Sequence, residues 1–160
     1  MSKNKNNYLT VIVTVALLIA LDVILTRFLS IQTQFLRIGF GFLPVAVAGI
    51  AYGPFWGAVT GAVGDILGMI IYPPAEYFPG FTLTALLTGL IFGLLLYRKP
   101  VTVPRVLLAS AVVCIALNLL LDTLWLDIMY GNSFIALLPA RAVKCVINIP
   151  IYTLLIRILW

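Results

Sequence analysis

Long apolar runs that do not alternate with polar residues are the feature that most limits what this chain can become. Val11–Leu21 reads VIVTVALLIAL and Leu83–Tyr97 reads LTALLTGLIFGLLLY, and 63% of the whole chain is hydrophobic against five acidic and ten basic side chains. A water-soluble domain of 160 residues could not bury that much apolar surface, so lipid must solvate it. An outer-membrane barrel would need strict alternation along each strand, which these runs lack. The expected fold class is all-α, an integral membrane bundle of six transmembrane helices forming one domain over residues 1–160.

A helical span takes about 20 residues, with a range of about 17–25, so six spans is near the ceiling for this length. The runs place them near 8–28, 38–53, 55–72, 80–97, 104–126 and 136–158. The second and third are separated by Tyr52-Gly53-Pro54, where proline presets its own backbone angle and glycine tolerates angles closed to other residues. That cut leaves two short helices, which cross only where lipid thins, neighbours shield them or they are partly re-entrant. Pro139 is placed in the first turn of the sixth helix. The first run follows a basic start but continues without a small-residue cleavage site, so it reads as a retained helix rather than a signal peptide.

With both termini cytoplasmic, Lys3, Lys5, Arg98, Lys99, Arg105 and Arg157 all fall on the inner side, as the positive-inside rule prefers. The outer loops then lie around 29–37, 73–79 and 127–136 and carry Glu76 and Asp127. Arg37, Arg141 and Lys144 break this pattern. Arg141, Lys144 and Asn148 recur at spacings of three and four and share a helical face. Because a cation within a span is costly, it faces a partner or a cavity. Two readings follow: a structural pair to Asp65 or Asp122, or snorkelling, on one side; an anion-binding wall on the other. Asn118 and Asp122 form an i,i+4 pair, and Asp65 sits between Gly61-x-x-Gly64 and Gly68. Each carboxylate could neutralise a cation or accept paired N–H donors from a heterocycle. Asp22 and Arg27 read as a local or interfacial ion pair.

Small residues recur every four positions at Gly49, Gly53, Gly57 and Gly61, and again at Gly64-x-x-x-Gly68, Gly89-x-x-x-Gly93 and Ala16-x-x-x-Ala20. In lipid this spacing favours close helix packing. Other features narrow the function by omission. No Gly-x-x-x-x-Gly-Lys-Ser/Thr loop occurs, so ATP hydrolysis by that route is excluded. Histidine is absent, which removes serine-hydrolase and zinc-protease readings. Neither cofactor nor metal is expected, nor is an enzyme. Cys114 and Cys145 lie inside apolar segments without metal-site spacing and read as core residues.

The block Phe35-Leu36-Arg37-Ile38-Gly39-Phe40-Gly41-Phe42-Leu43-Pro44, the following Gly49-x-x-x-Gly53-Pro54 and Gly57-x-x-x-Gly61-x-x-Gly64-Asp65-x-x-Gly68, and Phe78-Pro79-Gly80-Phe81-Thr82-Leu83-Thr84-Ala85 together resemble the substrate-binding S component of an energy-coupling factor (ECF) vitamin transporter, in its folate branch. The resemblance runs over essentially the whole chain. It implies a membrane subunit that captures a vitamin from outside and pairs with a transmembrane coupling subunit and two cytoplasmic ATPases. It also implies that Ala16 and Ala20 contact the coupling subunit, and that the S component topples in the membrane during transport.

Folate suits the residues. Its two glutamate carboxylates match Arg37, Arg141 or Lys144, and its flat pterin could stack on Phe40, Phe42, Tyr77 or Phe81 while bonding to Asp65, Asn118 or Asp122. The loop Tyr72–Phe81 could act as a lid, or its aromatics could be interfacial anchors. Alternatives stay open: an S component for pantothenate, biotin or a different pterin; a self-sufficient secondary transporter, although no internal repeat is visible; or a scaffold without a tight ligand. Cationic thiamine is disfavoured by the outer cations.

Overall fold

The computed structural model describes residues 2–32, 37–73, 76, 78–131 and 134–160, with side chains for all of these except 2–6, 32, 37, 38, 130 and 134. The helices are α1 (Ser2–Arg27), α2 (Phe42–Tyr52), α3 (Pro54–Ile71), α4 (Pro79–Leu96), α5 (Val103–Val112), α6 (Asp122–Tyr130) and α7 (Phe134–Leu159). A π-helical segment, Val113–Leu121, joins α5 to α6 without a break, so the described residues form six helical rods. A two-residue hairpin, β1 (Ile31–Gln32) and β2 (Arg37–Ile38), lies between α1 and α2, pairing Ile31 with Ile38 and Gln32 with Arg37.

Five rods are long and apolar enough to cross a membrane: Asn7–Arg27, Pro54–Ile71, Pro79–Leu96, Val103–Met129 and Ile135–Leu159. The remaining one, α2, has 11 residues. At about 1.5 Å per residue it is roughly half as long as the hydrocarbon layer is thick. It starts at Phe42 rather than near residue 38, because Arg37 and Ile38 pair in the hairpin and Gly39-Phe40-Gly41 turn the chain into the helix. Large apolar side chains such as Leu17, Ile70, Ile135, Val146 and Leu154 lie exposed on the outside of the bundle, where lipid tails would meet them.

Local chemistry sets the boundaries. Pro54 and Pro79 occupy the first positions of α3 and α4, where the missing N–H is not needed. Between α2 and α3, Gly53 takes φ 107°, a backbone angle that a side chain would strain. Gly131 (φ 65°) stops α6 with its N–H on the Asp127 carbonyl. Pro139 does not open α7; the helix begins at Phe134, and both Pro139 and Pro150 lie inside it. Hydroxyls of Thr60, Thr88 and Thr153 donate to carbonyls four residues earlier (2.8 Å each), so none is left bare in an apolar setting.

The rods pack by two different chemistries. Where α2, α3 and α4 cross, backbone meets backbone: a Cβ on Gly57 would lie 2.5 Å from the Gly89 carbonyl oxygen, and one on Gly49 would lie 2.9 Å from the Gly93 nitrogen. Only hydrogen fits at these points. Elsewhere a side-chain core joins α2, α4, α5, the π segment and α7, with Phe92, Leu96, Val106, Val113 and Cys114 essentially sealed.

Candidate functional site

Polar groups collect toward the end of the bundle that carries the hairpin, the α3–α4 link and the α6–α7 link. They form two clusters, each spanning helices.

The first cluster joins α1, α3 and α4. Arg27 Nη2 lies 3.5 Å from Asp65 Oδ1 and donates to the Asp65 carbonyl oxygen at 3.4 Å; the two side chains are 0% and 10% exposed. Thr82 on α4 donates to the other carboxylate oxygen, Oδ2, at 2.8 Å. Asp65 is therefore held from two neighbouring helices. One turn earlier on α1, buried Asp22 accepts from Thr26 at 2.9 Å. Glycines make room for these groups. A Cβ on Gly64 would run into the Asp22 carboxylate, one on Gly68 would sit 2.9 Å from Arg27 Nη2, and one on Gly41 would sit 2.8 Å from Asp22 Oδ1. The start of α2 is thus seated directly on α1, which fixes where the preceding hairpin emerges.

The second cluster joins the π segment, α6 and α7. Arg141, 5% exposed, places Nη2 at 2.8 Å from the Asn118 carbonyl oxygen and 3.5 Å from Asp122 Oδ2. One turn further along α7, Cys145 donates its thiol to the Cys114 carbonyl at 3.0 Å. These two α7 side chains explain the π geometry. A carbonyl that accepts from a neighbouring helix is drawn outward, and the wider turn presents it there. Lys144 is half-buried and Asn148 buried on the same helix.

An aromatic group stands between the clusters. Phe78 packs edge-on to Phe81 with centroids 6.2 Å apart and lies 5.6 Å from the Trp125 ring, while the Trp125 indole N–H donates to Thr84 Oγ1 at 3.2 Å. Flat rings at the same end of the bundle as a guanidinium and a carboxylate suit a planar heterocycle that carries acidic groups.

A family model described as ECF transporter, substrate-specific component, matches residues 10–160. The chain belongs to the ECF substrate-specific components. Among relatives of this substrate-specific component is the folate transporter FolT of Clostridium novyi (strain NT), 45% identical over 150 residues that cover 94% of this chain and 87% of that one. FolT of Leuconostoc mesenteroides subsp. mesenteroides is 34% identical over 145 residues, covering 87% and 78%. Among solved structures, a crystal structure of FolT bound with folic acid superimposes with a TM-score of 0.88 at 41% identity, covering 92% of this chain and 90% of that one. An ECF substrate-specific component is a multi-pass membrane protein that takes part in transport and is not an enzyme. Transporters of this family work with coupling and ATPase subunits.

In this substrate-specific component the structure brings Asn118, Asp122 and Arg141 together, with Lys144 a turn along the same helix, and sets Phe81 in the aromatic group. Phe40 is 45% exposed at the approach to α2. Phe42 turns inward and stacks on Tyr152 at 3.6 Å between centroids, inside the side-chain core. Asp65 is engaged by Arg27 and Thr82. Arg37 pairs with Gln32 through the hairpin backbone, and its side chain, like the whole of Tyr77, lies outside the described residues. Ala16 and Ala20 are both exposed along α1. Sequence reasoning missed Trp125 and Thr84. Trp125 follows Asn118 by seven positions and Asp122 by three, and that spacing was the available signal.

Proposed function

We propose that this chain, acting as one transmembrane domain over residues 1–160, binds folate at the hairpin end of the bundle and delivers it for ATP-driven uptake. The observation that carries the reading is the likeness, over nine-tenths of both chains, to a FolT structure bound with folic acid. The local chemistry supports it. Arg37 and Lys144 answer the glutamate carboxylates; Asn118 and Asp122, with Arg141 held against them, answer the pterin edge; Phe40, Tyr77 and Phe81, beside Trp125, supply the flat surfaces. Phe42 and Asp65 hold the frame behind these residues. The site faces outward, both termini are cytoplasmic, and Ala16 and Ala20 meet the coupling subunit, which works with two cytoplasmic ATPases.

The test is uptake of labelled folic acid by cells that lack their own folate import and co-express this chain with an ECF coupling subunit and its ATPases. Accumulation should require all subunits and stop when ATP hydrolysis is blocked. Replacing Ala16 and Ala20 by arginine should abolish accumulation while leaving binding by the isolated chain intact. Uptake by the chain alone would instead establish a self-sufficient transporter. Accumulation of pantothenate or biotin in place of folic acid would reassign the substrate.

A further inference from the structure

A cavity of about 300 Å³ lies at the opposite end of the bundle, among the C-terminal ends of α2, α4 and α7 and the link into α5. Its lining is divided by chemistry. Ile50 and Leu96, both buried, give it an apolar floor, and Val101 extends that surface. Arg98, Lys99 and Trp160, all exposed, form the rim, with Tyr97 beside them.

The charged side chains at this end have one sign. The five acidic side chains, Asp22, Asp65, Glu76, Asp122 and Asp127, belong to the hairpin half of the bundle, whereas Arg98, Lys99, Arg105 and Arg157 lie toward the cavity end, where α1, with Lys3 and Lys5 in its first residues, also begins. No ion pair involves Arg98 or Lys99 among the described residues. Their bonds within the protein orient them without satisfying them. Arg98 Nε donates to the Tyr97 hydroxyl at 3.1 Å with the guanidinium over the Tyr97 ring, and Lys99 Nζ donates to the Leu94 carbonyl at 3.1 Å. The remaining guanidinium and ammonium N–H groups stay available. Arg98 adopts φ 54°, a left-handed angle that a non-glycine residue seldom takes, as the chain turns out of α4. Arg157 donates to the Val101 carbonyl at 2.8 Å and ties α7 to the cavity wall. In the first turns of α5, Arg105 Nη1 is buried without a hydrogen-bond partner among the described residues.

We propose that this cavity binds the phosphate headgroup of an anionic phospholipid. The apolar floor would take the glycerol backbone and the start of an acyl chain. Arg98 and Lys99 would take the phosphate, and Tyr97 and Trp160 would sit at headgroup depth, the level at which such rings are enriched. A free phosphate would satisfy the rim but leave the apolar floor against water, which is why a lipid fits better. The site does not depend on which vitamin the other end receives.

The test is native mass spectrometry of the delipidated, detergent-purified protein titrated with phosphatidylglycerol or phosphatidylcholine, with and without excess glycerol 1-phosphate. The wild type should retain phosphatidylglycerol preferentially and keep it in the presence of glycerol 1-phosphate. R98Q and K99Q should each lower that retention about fivefold, the effect of one basic residue at an anionic surface. K3Q/K5Q should leave it unchanged. Ala51 also lines the cavity, so A51F, which fills it and leaves every charge in place, should lower retention as well; it guards against misreading a folding defect in the charge variants. The proposal fails if the wild type shows no preference, if K3Q/K5Q weakens retention as much as R98Q/K99Q, if A51F retains lipid normally, or if glycerol 1-phosphate displaces the lipid.

Discussion

Replacing Asp65 by asparagine separates two roles that a buried carboxylate can have in this bundle. With Arg27 Nη2 at 3.5 Å and both side chains almost out of solvent, the Coulomb attraction is about 5 kcal/mol at an effective dielectric constant of about 20. Desolvation of both ions offsets much of that, so the pair adds little relative to a well-packed apolar pair. Breaking it from one side is different. An Arg27 that loses the Asp65 carboxylate, close against Gly68 and α3, costs about 3–5 kcal/mol, or roughly 6–20 °C in the thermal midpoint by the scaling for chains of this length. The assay is thermal unfolding of the detergent-purified variant by intrinsic fluorescence, beside titration with folic acid well below the midpoint. D65N and R27M should each melt early, and R27M/D65L should recover much of the loss. Folic acid affinity of folded D65N should stay within about tenfold of wild type, a change of about 1.4 kcal/mol. A D65N protein that melts like wild type and no longer binds folic acid would refute the reasoning and make Asp65 a ligand contact.

Two further outcomes follow from close packing and from where the tryptophans lie. G89A should be destabilised by about 1–3 kcal/mol, because its methyl would meet the Gly57 carbonyl and push α4 off α3. G131A, where nothing lies within 4 Å and only the left-handed backbone objects, should lose about 1 kcal/mol in the same melting experiment. Folic acid should alter intrinsic fluorescence through Trp125, which bonds to Thr84 beside Phe78, and not through Trp56 at the start of α3 or Trp160 at the far end. W125F should therefore abolish the ligand-induced change, while W56F and W160F keep it.

The glycine pattern was the most legible part of the fold. Gly57 and Gly61 on α3, and Gly89 and Gly93 on α4, stand four residues apart because backbone contacts along a helix repeat once per turn, and with Gly49 on α2 they lie in the α2–α3–α4 crossing. The turn at Gly53-Pro54 was legible for a similarly local reason, since both residues restrict their own dihedrals. The π segment was not. Its apolar residues follow the same spacing as an ordinary helix, and what widens its turns is donation from Arg141 and Cys145 on another helix. The sixth span, expected near 136–158, is the helix Phe134–Leu159, and only the placing of Pro139 in its first turn was off, because a proline reads as a first-turn residue when its neighbours are unknown. At the site, the spacing of Asn118, Asp122 and Arg141 signalled polar faces but not partners. Asp122 was one of two carboxylates expected for Arg141, and the other, Asp65, lies with Arg27. Phe42 shares a motif with Phe40, yet two steps along the chain turn one ring into the core and leave the other exposed.

Calorimetric titration of the purified, isolated chain with folic acid, and with pantothenate, biotin and thiamine under the same conditions, tests the central claim most directly. The account predicts tight one-to-one binding of folic acid alone, weakened strongly in Arg37→Ala and Arg141→Ala variants that remain folded. Folded protein that ignores folic acid, or that binds one of the other three in its place, would contradict it.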